Sequence, residues 1–105
     1  MRMKLRDTAA VIRSKNSGPF ELTFDVILKD KKMYDALVQS AVLAEENIAR
    51  LYGIPLADVL STITFEPALA VKVTIRRPLG SGDLGDRDIY GAQQHAPLMD
   101  LEFEV

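Results

Sequence analysis

The spacing of apolar residues changes along the chain, and each spacing fits one kind of element. From Phe20 to Leu28, the residues Phe20, Leu22, Phe24, Val26 and Leu28 alternate with Glu21, Thr23, Asp25 and Ile27. A period of two with bulky residues on one side predicts a half-buried strand, since successive side chains point to opposite faces. Leu69, Val71, Val73 and Ile75 alternate in the same way with Ala70, Lys72, Thr74 and Arg76. Val59 to Phe65 is a third strand, with Val59, Ile63 and Phe65 expected on one face. Glu66-Pro67 between these two suggests a tight hairpin. Leu98 to Val105 reads as a last strand, with Met99, Leu101, Phe103 and Val105 opposite Asp100, Glu102 and Glu104.

Other segments follow helical spacing. Leu5, Ala9 and Ile12 fall on one side of a helix over Leu5 to Ser14, with Asp7 early and Arg13 late, as the helix dipole favours. Asn16-Ser17-Gly18-Pro19 would end it. Asp30 can cap a helix bearing Met33, Leu37, Ser40 and Ala41 at i, i+4, i+7 and i+8, widened by Tyr34. A further helix runs from about Ala44 to Tyr52, with Ile48, Leu51 and Tyr52 apolar and Glu46 four residues before Arg50. Gly53 is placed to end it in a left-handed conformation. Pro55 to Asp58 allows one turn at most. The sum is a single α+β domain over residues 1–105: a two-layer sandwich of about four mostly antiparallel strands with two or three helices on one face.

Composition narrows the function more than the fold. At 105 residues, 48% hydrophobic and 27% charged, the chain suits one self-supporting core. It has no cysteine, which removes disulfides, thiolate metal sites, iron–sulfur clusters and a cysteine nucleophile. One histidine, His95, cannot build an all-histidine metal site within the chain. A net charge of −2 lacks the basic surplus of a general nucleic-acid binder. The N-terminus lacks the apolar run of a signal peptide, and no stretch approaches the ~20 apolar residues of a membrane span. The expectation is a cytoplasmic protein with no membrane or nucleic-acid partner.

The segment from Pro78 to Pro97 does not look like scaffold. It holds four of the six glycines and the only histidine, and it lies between two expected strands. Loops of this length in a compact domain are usually functional or disordered. Ile89, Tyr90, Leu79 and Leu84 can anchor it, and Tyr90, Gln93, Gln94 and His95 place donors and acceptors together. If Asp86 caps a short helix from about Arg87 to Gln94, Tyr90 and Gln94 share a face with Gln93 beside them. The structural alternative is that Gln93, Gln94 and His95 satisfy backbone groups where the chain rejoins the sheet. Arg13-Ser14-Lys15-Asn16-Ser17-Gly18 is a second candidate: a basic, amide-rich turn for a carboxylate or phosphate, or simply a helix end whose cations match the dipole. Arg76, Arg77 and Arg87 could add a local anion site or be ordinary surface charge. Asp83, Asp86 and Asp88 lack the spacing of a calcium loop, so no metal site is expected. No Gly-x-Gly-x-x-Gly is read between a strand and a helix, a phosphate-binding loop with Gly-Lys-Ser/Thr and a Gly-x-Ser-x-Gly elbow are absent, and the sequence names no cofactor.

Lys4-Leu5-Arg6-Asp7, Ile12 through Thr23, and Gly85 through Leu98, which contains Asp-Arg-Asp-Ile-Tyr-Gly-Ala-Gln-Gln-His-Ala-Pro, carry a resemblance. They resemble the small bacterial domain-of-unknown-function family 4387, over nearly the whole chain. The resemblance implies an association rather than a settled activity. Members often accompany, or are fused to, a larger protein similar to the acyclic-terpene-utilisation A family, a setting of branched carboxylic acid or coenzyme A ester breakdown. The family commonly has a capping Thr where this chain has Ala44.

Three functions are then open. The favoured one is a small subunit or accessory domain of a two-component catabolic enzyme acting on carboxylic acids or their coenzyme A esters. In it Tyr90, Gln93, Gln94 and His95 help complete a site at the interface with the larger acyclic-terpene-utilisation A-like partner. Arg13, Lys15, Asn16 and Arg87 would orient an acidic small molecule. The second is a self-sufficient lyase or isomerase with His95 as general acid or base and Tyr90 assisting. The third is a non-catalytic homo-oligomeric interaction module using a sheet edge or the loop.

Overall fold

A computed structural model of the chain describes residues 1–18, 20–76 and 96–105. The main sheet contains β2 (Ala9–Gly18), β3 (Glu21–Leu28), β4 (Val59–Phe65) and β5 (Ala70–Arg76), in the order β2-β3-β5-β4 and antiparallel throughout. Two longer helices, α2 (Lys31–Ser40) and α3 (Glu45–Tyr52), contribute Tyr34, Leu37, Ile48 and Ala49 to the core. A single helical turn, α1 (Leu5–Thr8), precedes β2. The strands β1 (Arg2–Lys4) and β6 (Glu102–Glu104) pair with each other as a separate two-stranded sheet. The architecture is an α+β sandwich with a mostly antiparallel sheet.

The alternation read from β3 and β5 holds. Leu22, Phe24, Val26 and Leu28 are buried, as are Val71, Val73 and Ile75 across from them. Phe24 stacks on Tyr52 of α3, ring centroids 4.9 Å apart, which identifies this as the helix-covered face. Phe20 stands before the strand and is exposed. Asp30 caps α2 by accepting from the Met33 amide at 2.8 Å. Ala41 closes that helix in a left-handed conformation, φ 59°. Gly53 does the same for α3 at φ 64°, and Ala44 at the head of α3 makes no side-chain cap. Arg50 donates to Asn47, at 3.1 Å, and forms no ion pair with Glu46. A tight 3-10 turn over Glu66–Ala68 joins β4 to β5, with Leu69 left-handed at φ 53°.

Three expectations are corrected. The helix expected over Leu5 to Ser14 stops at Thr8, and Ala9–Gly18 is an edge strand. Leu5 and Thr8 are fully buried, and the Thr8 hydroxyl donates back to the Leu5 carbonyl at 3.0 Å. A turn without a side-chain cap is a poor nucleus for a longer helix. The free ladder of β3 offers β-branched Val11 and Ile12 regular pairing instead. The inner side of β2 then runs through Ile12, Ser14 and Asn16, whose polar ends hide the period of two.

The second correction concerns β4. A bulge between Val59 and Ser61 inserts Leu60, so the strand reverses face. Val59 is buried, but beyond the bulge Thr62 and Thr64 turn toward the helices while Ile63 and Phe65 are 54% and 58% exposed. The third is the C-terminal strand, which shrinks to three residues and pairs with β1 outside the main sheet. Leu98 and Phe103 still enter the core, and Leu5 and Arg6 amides donate to the carbonyls of Leu101 and Met99 at 2.7 and 3.1 Å.

Candidate functional site

The sheet face away from the helices gathers charge that the sequence leaves scattered. Cross-strand pairing sets Arg13 beside Asp25 and Asp25 beside Lys72, one row across β2, β3 and β5. The Arg13 guanidinium donates to the Asp25 carboxylate at 3.2 Å. In the next row Lys15, Thr23 and Thr74 are neighbours, with the two threonine hydroxyls 3.3 Å apart. Glu21 pairs with Arg76 one row further on, and Arg76 lies 4.0 Å from Asp58. Strand alternation puts Arg13, Lys15, Lys72 and Arg76 on this face against the carboxylates Glu21 and Asp25. The face is therefore locally cationic in a chain of net charge −2. Asp25 lies between two cations but pairs with Arg13 alone among the described residues, and Lys15 makes no ion pair there. The Arg13 end of that pair is exposed while the Asp25 end is largely buried, and the exposed Lys15 and Lys72 are left to meet an anion.

Of the expected site residues, Arg13 and Lys15 share this face. Asn16 does not: it lies one residue on, on the helix side across from Leu22. The basic stretch is strand rather than a turn after a helix, so alternate backbone amides in it serve the ladder with β3. Arg76 ends β5 at the same edge of the face, where the chain enters the segment expected to carry function. Arg87, Tyr90, Gln93, Gln94 and His95 fall outside the described residues, as do Arg77 and the three aspartates Asp83, Asp86 and Asp88. Asp25 and Lys72 were not singled out from sequence. Their alternation marks them as outward-facing, but only the strand order makes them neighbours.

On the helix side, a cavity of about 170 Å³ lies between the end of α2 and the strands β4 and β5. Leu37, Val38, Leu43 and Val71 line it with Thr62 and Thr64, and no titratable group reaches it. The Thr62 hydroxyl is buried without a hydrogen-bond partner among the described residues. A shallower hollow of about 290 Å³ is bounded by Ala36, Gln39, Ser40, Glu104 and Val105. Neither holds an acid–base pair. Two titrations are displaced among the described residues. Hydrogen bonds to Asp35 and then Glu66 raise the Lys31 ammonium, and burial pushes the Tyr52 phenol up. Lys31 is a surface ion-pair centre and Tyr52 a core ring, so neither displacement marks a reacting group.

A family model described as "Domain of unknown function (DUF4387)" matches residues 5–102. The chain belongs to this family. The match runs from the start of α1 to the first residue of β6, and so takes in the cationic face, the cavity and the segment between β5 and β6. No match was found among curated proteins or among solved structures. No helix among the described residues of this DUF4387 domain is long and apolar enough to cross a membrane.

Proposed function

We propose that this DUF4387 domain is a small subunit or accessory domain of a two-component catabolic enzyme, acting on carboxylic acids or their coenzyme A esters. The larger component would be an acyclic-terpene-utilisation A-like protein in the cytoplasm. The observation that supports this role is the Arg13–Asp25–Lys72 row with Lys15 beside it: exposed cations, in excess over carboxylates among the described residues, around the buried Thr23 on an acidic domain. Such a face attracts a carboxylate or a coenzyme A phosphate and orients it without enclosing it. The face supplies orientation, and the two cavities described above hold no acid–base pair, which suits an accessory role. Tyr90, Gln93, Gln94 and His95, on the segment that follows Arg76, would complete the site against the larger subunit.

The test is co-expression of the two proteins, copurification through a tag on the larger one, and turnover of a branched acyl coenzyme A by each alone and by the mixture. Activity confined to the mixture is expected. Arg13→Glu with Lys15→Glu should lower it at least tenfold, mainly through KM, and His95→Ala should lower kcat. Full activity of the larger protein alone removes the accessory role. Turnover by the small domain alone removes it in favour of a self-sufficient enzyme.

A further inference from the structure

We propose that two copies of this chain pair edge to edge through β4, antiparallel, with Ile63 on the two-fold axis. β4 is an end strand of the four-stranded sheet, so one side of its backbone has no ladder partner among the described residues. Exposed edges are usually guarded by charge or proline, and Val59–Phe65 reads Val-Leu-Ser-Thr-Ile-Thr-Phe, with neither. The opposite edge, β2, carries Arg13 and Lys15. An antiparallel strand meeting its own copy sets residues across from the same short sequence. An uncharged strand does this without like-charge repulsion, and a strand bearing two cations does not.

The register follows from the bulge. Regular pairing in β4 begins only after it, over Ser61 to Phe65, and the midpoint of those five residues is Ile63. Pairing about that midpoint sets Ile63 against the partner's Ile63 and Ser61 against the partner's Phe65. The two most exposed apolar side chains of the strand thereby gain cover. On the helix side the same register sets Thr62 against the partner's Thr64. Cross-strand threonines on one face exchange hydrogen bonds, and the Thr62 hydroxyl is the buried side-chain group that has no partner within the described residues of one chain. Unpaired backbone, uncharged sequence, exposed Ile63 and Phe65, and an unmatched hydroxyl thus point to one occupant. β4 and the Arg13–Lys15 strand are opposite edges of the sheet, so loss of pairing leaves the accessory role open to its own test.

The chain has no cysteine, so engineered ones report cleanly. Directly opposed residues in an antiparallel pair have Cα atoms roughly 4.5–5.5 Å apart, inside the roughly 4.4–6.8 Å that a disulfide spans. Purified protein should sediment as a dimer at micromolar concentration. Ile63→Cys should oxidise to a covalent dimer, and Val11→Cys on the far edge should not. Thr62→Cys mixed with Thr64→Cys should cross-link where each alone does not. Ile63→Lys, folded by circular dichroism, should weaken association at least a hundredfold. A monomeric wild type, a dimer that survives Ile63→Lys, or cross-linking at Val11 in place of Ile63 would each overturn the pairing.

Discussion

Replacing Thr62 with valine should stabilise the monomer, against the usual direction for a change beside the core. Thr62 sits in β4 and turns toward the helices, beside Leu37, Val38 and Val71 at the wall of the cavity. Its hydroxyl oxygen is buried and finds no donor or acceptor. Threonine and valine have nearly the same shape, and both suit a strand. The exchange therefore removes an unmatched polar group and leaves packing nearly unchanged. An unsatisfied buried group costs roughly 1–3 kcal/mol. The residue as a whole is only half-buried, which places the gain near the lower end, about 1 kcal/mol. In a domain of this size that raises Tm by about 4 °C or slightly more. Urea unfolding, followed by circular dichroism and held dilute enough for sedimentation to show monomer, measures the change at constant m-value. No gain, or a loss, would mean that the hydroxyl is matched in solution and would refute the reasoning. At concentrations where the chain dimerises through β4, the gain should shrink, because the partner's Thr64 then satisfies the wild-type hydroxyl.

Two further outcomes follow from backbone and burial. Gly53 ends α3 at φ 64°, and a Cβ there would meet nothing within 4 Å. Gly53→Ala should therefore cost only the left-handed backbone term, about 1–2 kcal/mol by urea unfolding, and a much larger loss would reveal a clash. Because burial raises the Tyr52 phenol above its ordinary value of 10.0, the folded chain holds a proton that the unfolded chain has released. Stability from this source is complete below about pH 10 and is lost as pH rises beyond it. Tyr52→Phe should flatten that alkaline decline in denaturation midpoints; parallel wild-type and variant curves would contradict it.

Much of this fold was legible in short stretches of sequence. The period of two in Leu22–Leu28 and Val71–Ile75 fixed two central strands because both are half-buried, with one side apolar and the other polar. Asp30, Gly53 and the Glu66-Pro67 turn marked element ends because capping and left-handed backbone are local chemistry. The errors fell on edge strands. In β2 the inward positions at one end are Ser14 and Asn16, so the pattern that reveals a strand was missing while Leu5, Ala9 and Ile12 imitated a helix. In β4 a single inserted residue, Leu60, reversed every side chain after it.

The amino-acid order by itself determined the α+β class, the central alternation, the cap of α2 and the span of α3, since these depend on neighbours within a few residues. Only the tertiary structure decided that Arg13, Asp25 and Lys72 share a row, that Asn16 turns the other way, and that Ile63 and Phe65 face outward from an open edge. Those are facts of strand order and register. They arise between segments up to about 60 residues apart in the chain, where no local spacing can encode which strand lies next to which.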